Sequence, residues 1–179
     1  VKNPSEIFLN KKPSAGVATI VACEGNRSLV VDLQALISAT TFASPRRTAT
    51  GVETNRLHQI LAVLEKHMGL PLSRHDCYLA VAGGLEVEEP AADLGIAAAI
   101  VSSYRDLILP KRTVLIGELG LGGQLRAVGQ MPQRLLEAER LGFERAIFTE
   151  DNGLDQTKIT IKMELLEASK INDALILAL

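Results

Sequence analysis

Tryptophan is absent from this 179-residue chain, and aromatic residues of all kinds make up only 3% of it. A core must therefore be assembled from Ala, Val, Ile and Leu, which suits helices lying close against a sheet. At 47%, the apolar share is too high for a disordered chain, and the length is that of one ordinary domain. No apolar run approaches the roughly 18 residues a spanning helix needs, so no membrane partner is expected. Nothing near Val1 shows the basic, apolar and small-residue order of a secretion signal. Cysteine is scarce: Cys23 and Cys77 sit in apolar, strand-like runs, and no Cys-x-x-Cys pair occurs. Reduced core thiols in a cytoplasmic protein are expected. No metal site is expected either, because His75-Asp76-Cys77 is too compressed to converge on one ion.

Charge of neither sign dominates. The net value of −2 argues against a protein that coats DNA. The two halves differ, however: residues 1–75 carry nine Lys/Arg and five Asp/Glu, and residues 76–179 carry ten and sixteen. A basic first half suits contact with a polyanion, or with the acidic half of a neighbouring subunit.

Gly16–Cys23 and Ser28–Leu36 are β-rich runs around a Glu-Gly-Asn-Arg turn and predict an antiparallel hairpin. The Ser-, Thr- and Pro-rich stretch 38–52 reads as loop. Leu57, Ile60, Leu61, Leu64 and Met68 fall at helical spacing after Thr54, and Gly69 with Pro71 stops that helix. Cys77–Val81 is a short buried strand. Glu86–Glu89 leads to Pro90, a favourable first-turn residue for a small, apolar helix over Ala91–Ser103. Strands follow at 113–116 and 124–128, a helix at Pro132–Leu141, strands at Arg145–Thr149 and Lys158–Met163, and a last helix over Ile171–Leu179. Alternating strands and helices mean an α/β or α+β sandwich of mixed sheets packed with helices.

Two motifs invite chemical readings that fail. The glycine-rich GELGLGG at 117–123 has no Lys-Ser/Thr after its last glycine, and strand rather than helix follows it, so neither a Walker loop nor a dinucleotide fingerprint fits. It is expected to be a tight link between strands. Pro13-Ser14-Ala15-Gly16, beside Lys11 and Lys12, is spelled like a Lon-protease nucleophile, but Ser14 precedes a β run instead of opening a buried helix.

From Val81 to Thr149 the chain reads VAGGLEVEEPAADLGIAAAIVSS and then VLIGELGLGGQLRAVGQMPQRLLEAERLGFERAIFT. In order and spacing these blocks resemble the second half of a Lon protease domain, which implies a Lon proteolytic-domain-like (ribosomal protein S5 domain 2-like) fold. The position matching the Lon nucleophile is Ala91, and the position matching its lysine base is Pro132; Ile116 stands where Lon has a threonine. A Ser–Lys protease needs a hydroxyl to attack and an amine to take its proton. Neither side chain here supplies one, so no catalytic residue is expected. Ser102, Ser103 and Lys111 are badly placed to substitute, the serines being a full helix length from the first turn.

With KNPSEIFL and SPRRTATGVETNRLHQILAVLEKHMGLPL, those blocks also resemble the C-terminal domain of the bacterial RadA (Sms) recombination family. That resemblance implies a linker over residues 1–14 from an ATPase portion, and a Lon-like domain over 15–179. It further implies a homo-hexameric ring that contacts DNA without sequence preference in a cytoplasmic, nucleoid-associated recombination and repair protein. The parent would hydrolyse ATP as a branch-migrating helicase, with ATP, Mg²⁺ and Zn²⁺ belonging to its N-terminal portion. The residues expected to meet DNA phosphates are Arg46, Arg47 and Arg56, with Lys11, Lys12 and Arg27 as weaker candidates. The same arginines would alternatively pair with Glu86, Glu88 and Glu89 of a neighbouring subunit. No aromatic accompanies them, so base stacking is not expected. Asp93 is expected to be structural, holding backbone donors near its helix start, and Glu118 to pair with Arg126. Competing readings are a pure oligomerisation scaffold without DNA contact and an active Lon-like serine peptidase.

Overall fold

The computed structural model describes residues 8, 9, 12–150, 152–155 and 157–179. The expected hairpin forms from β1 (Val17–Glu24) and β2 (Arg27–Ala39), antiparallel and in register from Val17 opposite Gln34 to Glu24 opposite Arg27. Gly25, with φ +60°, makes the turn between them without a Cβ penalty. β3 (Arg47–Thr50) lies in the stretch read as loop; it pairs in parallel with β4 (His75–Val81), which is antiparallel to β2. The sheet order is β1-β2-β4-β3. A four-residue edge strand of Arg-Thr-Ala-Thr has too little apolar patterning to stand out in sequence, and each of its residues pairs with one 30 positions further on.

Helix α1 (Thr54–Met68) ends as the sequence predicts, at Gly69 in the left-handed conformation. Helix α2 (Asp93–Arg105) follows a single 3-10 turn at Pro90–Ala92 and is buried almost all round. It packs on β1 and β2, and Gly95 permits the approach: a Cβ there would stand 2.1 Å from Ile20 Cγ2. The second half contributes β5 (Thr113–Leu115), β6 (Glu118–Leu119), β7 (Leu125–Arg126), α3 (Met131–Arg140), β8 (Arg145–Thr149), β9 (Glu164–Ala168) and α4 (Ile171–Ala178). β5, β8 and β9 form a parallel sheet; β6 and β7 are joined by the glycine-rich turn.

The strand expected at Lys158–Met163 is displaced to Glu164–Ala168. ELLEA has helix-favouring residues, yet its parallel register with all of β8 overrides that local preference. The result is a mixed α/β chain with two apolar clusters. Ala18, Ile20, Val31 and Leu33 face α1 and α2, while Val21 and Val30, opposite each other across the hairpin, face β5, β8 and α3. Burial on both faces explains why β1 reads as a continuous apolar run. Phe8 packs on the first cluster and Leu9 on the second. No helix among the described residues is long and apolar enough to cross a membrane.

Cys77 is fully buried in β4, and burial pushes its thiol up to about 11, against the pull of the Arg47 charge. A thiol of that kind is protonated and shielded at pH 8. Ellman's reagent is therefore expected to leave Cys77 unmodified in the folded chain and to reach it in guanidinium. Modification of both thiols at equal rates in native buffer would contradict that burial.

Candidate functional site

The residues that open α2 also shape a crevice. Pro90 supplies a preset φ at the first position of its turn, and the buried Ala91 carbonyl accepts a hydrogen bond from Gly117 N at 3.0 Å. Leu94 N, one of the donors a helix start leaves unpaired, reaches Gly117 O at 3.1 Å. Asp93, only 1% exposed, accepts Leu119 N at 2.9 Å and is gripped by the guanidinium of Arg56, with Nε at 2.7 Å and Nη2 on the other oxygen. Burial lifts the Asp93 carboxyl above its ordinary range, while the Arg56 bonds and the Leu119 N–H oppose that lift. Asp93 thus holds α1 and the β6 strand onto α2. The structural role expected of it is met, but through donors on other elements.

A second ion pair links the approach to α2 with α3. Arg134 is 3% exposed, and its Nη1 and Nη2 meet the Glu89 oxygens at 2.6 and 2.9 Å. Nη1 also donates to Val21 O, and Nε to Gly129 O. Glu89 Oε1 in turn accepts Cys23 N at 2.8 Å. Every arm of the Arg134 fork is therefore used inside the fold. Pro132 lies exposed on the first turn of α3, after Gln130 with φ +63°.

The crevice beside Ala92 and Asp93 has a volume of about 720 Å³. Its ionisable lining is Glu53, Glu86, Glu88, Glu89 and Asp93 against Arg56 alone, and no lining residue carries a hydroxyl, thiol, amine or imidazole. The hydroxyls weighed from the sequence serve elsewhere. Ser102 Oγ accepts Gly16 N at 2.9 Å and donates to Leu107 O, and Ser103 Oγ accepts Ile37 N at 2.9 Å. Ser14 is exposed at the edge of a separate cavity.

The arginines expected to meet DNA are not equivalent. Arg56 is committed to Asp93, with Glu118 Oε1 4.0 Å from the same Nη2. Glu118 and Arg126 are cross-strand neighbours, as expected, but the ion pair of Glu118 is with Arg56. Arg47 donates Nη1 to His75 O and Nη2 to Leu72 O, both at 2.7 Å, so it fastens β3 to the turn ahead of β4. Arg46 is exposed, and its guanidinium rests on the Phe42 ring at 3.9 Å, a cation–π contact. Phe42 is 45% exposed, so an aromatic does accompany this loop. Phe42 sits only four residues ahead of Arg46; the loop reading missed it because nothing local says that the chain folds back. Asp76 fixes the loop by accepting Arg46 N at 2.7 Å. That bond, then the Thr40 hydroxyl and the two arginine charges, hold the Asp76 carboxyl below its usual range against the effect of burial. Arg27 is exposed at the hairpin tip and Lys12 at the rim of the other cavity; Lys11 lies outside the described residues. Glu86 and Glu88 are exposed, whereas Glu89 is taken by Arg134. Among the described residues no group of three or more His, Cys, Asp or Glu side chains is placed to hold a metal ion.

Residues 34–152 match the family described as subunit ChlI of Mg-chelatase. The full chain is 51% identical to the DNA repair protein RadA of Synechocystis sp., covering 35% of that relative. Over 98% of the chain, identity is 47% to DNA repair protein RadA of Halalkalibacterium halodurans and 45% to that of Bacillus subtilis, each covered over 38% of its length. The chain thus spans a little over a third of these relatives.

Proposed function

The chain belongs to the RadA family and to the domain family described as subunit ChlI of Mg-chelatase, and from that premise we propose that it is a non-proteolytic Lon-like domain that organises a hexameric ring and contacts DNA in a DNA repair and recombination protein. The observation that carries the non-proteolytic part is the crevice at the start of α2. Ala91 takes the nucleophile position and Pro132 the base position of the Lon resemblance, and the crevice lining offers no hydroxyl, thiol or amine from which a Ser–Lys type pair could be rebuilt. Its acidic lining repels phosphates, which favours a DNA contact on another part of the chain.

Arg46 with Phe42 is the contact we favour. An exposed guanidinium held on an exposed ring offers a charge to a phosphate and a face to a base. Arg47 and Arg56 support the loop and the helix instead of touching nucleic acid directly. ATP hydrolysis with its Mg²⁺, and a separate Zn²⁺ site, are assigned to the remaining length of RadA-type proteins.

Anisotropy with labelled single- and double-stranded oligonucleotides tests this reading. Arg46→Ala is expected to weaken binding by about tenfold, as loss of one well-placed charged contact does, and to make the salt dependence shallower by about one unit of slope. Phe42→Ala is expected to weaken single strands more than duplex. If the assembled chain binds no DNA at low salt, the pure scaffold reading replaces this one. Casein hydrolysis that survives Ser14→Ala and Ser102→Ala would restore the peptidase reading.

A further inference from the structure

On a different part of the molecule, a cavity of about 340 Å³ opens between the hairpin and the loop that follows α2. Its walls include Ile108, Leu115 and Phe143. Its ionisable lining is Lys12, Lys111 and Arg112 with one carboxylate, Asp32, and that carboxylate is 4% exposed and hydrogen-bonded by Thr19 Oγ1 at 2.6 Å. The lining thus carries three cationic side chains against one carboxylate. We propose that this cavity docks an acidic peptide segment of a partner protein, with one bulky apolar side chain in the cavity and flanking carboxylates on Lys111, Arg112 and Lys12.

Three features support that occupant. The size is that of a small ligand pocket with apolar walls and a few converging polar groups. The mouth continues into exposed apolar surface: Leu107 is 47% exposed, Ile108 57%, and Leu179, next to the lining residue Ala178, 38%. An apolar centre with a polar rim is the usual anatomy of a recognition patch.

The loop is also preformed. Leu107 N is held by Ser102 O at 3.0 Å, and the Ser102 hydroxyl donates to Leu107 O. At the other end Arg112 adopts φ +57°, and its carbonyl accepts Glu144 N and Arg145 N at 2.8 and 3.1 Å. A site that is already ordered loses less entropy on binding. Arg112 pairs with Glu144 at 3.1 Å, but both side chains are well over half exposed, so a ligand carboxylate can displace Glu144 at little cost.

This inference is independent of DNA contact and is tested on the 179-residue chain with a fluorescein-labelled heptapeptide of six glutamates around a central phenylalanine. Saturable binding in the range of about 10–100 μM is expected, typical of short-peptide recognition. Replacing the peptide phenylalanine by alanine should weaken binding at least tenfold. So should Lys111→Glu and, separately, Ile108→Asp; both sites are exposed, and unchanged thermal melts would show that the fold is kept. No saturable binding, equal binding of the alanine peptide, or equal binding of a peptide with lysines for glutamates would each overturn the proposal. Displacement of the peptide by oligothymidylate, abolished by Lys111→Glu, would assign the rim to nucleic acid and also overturn it.

Discussion

Replacing Arg134 with alanine is expected to destabilise the chain by about 3–5 kcal/mol, the usual loss when one partner of a buried ion pair is removed. The side chain is 3% exposed and makes four hydrogen bonds, to both Glu89 oxygens and to the carbonyls of Val21 and Gly129. Without it those carbonyls lose their partner, Glu89 is left with Cys23 N, and a cavity opens between α3 and the hairpin. Arg134→Lys is expected to recover less than half, because one ammonium cannot reproduce the fork. Adding Glu89→Gln to Arg134→Ala should regain part of the loss by removing the unpaired charge. Urea denaturation of the four chains measures all of this, and a loss below about 1 kcal/mol for Arg134→Ala would mean that the pair is dispensable.

Arg56→Ala is expected to be comparably damaging at pH 7, again by about 3–5 kcal/mol, and its effect depends on pH. Asp93 is 1% exposed, and burial already lifts its carboxyl above the ordinary range with Arg56 in place. Without Arg56 only the Leu119 N–H opposes burial, and Glu118 adds repulsion, so the carboxyl rises further. A carboxyl raised in the folded state contributes stability below its unfolded value of about 3.9, and that contribution is lost as pH climbs through the folded value. The deficit of Arg56→Ala against the parent should therefore be largest at neutral pH and shrink on acidification. Urea midpoints at pH 7 and pH 5 check the direction. A deficit that grows on acidification would contradict the burial of an unpaired Asp93, and Asp93→Asn in the Arg56→Ala chain should remove most of the pH dependence.

Both predictions concern residues whose types were plain in the sequence and whose partners were not. Arg56 belonged with Arg46 and Arg47 as a run of basic residues, and Asp93 looked like a helix-start acid. Their separation of 37 residues leaves no periodic trace. Glu89 and Arg134 are 45 apart, and Glu89 read as one of three similar acids before Pro90. The Arg46–Phe42 contact had a weak local signal in its i, i+4 spacing, but that spacing brings side chains together only in a helix, and this stretch is not one.

By itself the sequence determined the elements that neighbours within a few residues dictate. These are the β1–β2 hairpin, the five-residue apolar stripe and Gly69 stop of α1, and the Pro90 entry to α2, whereas the turn expected over 117–123 is shortened to 120–123 because Glu118–Leu119 pairs as β6. Tertiary structure alone decided that Arg47–Thr50 is an edge strand, that Glu164–Ala168 rather than Lys158–Met163 pairs with β8, and which charges are spent inside the fold. Periodicity and turn chemistry are set by local backbone geometry. Strand pairing and buried ion pairs are set by register and desolvation between segments far apart in the chain, and those quantities exist only once the sheets and helices have met.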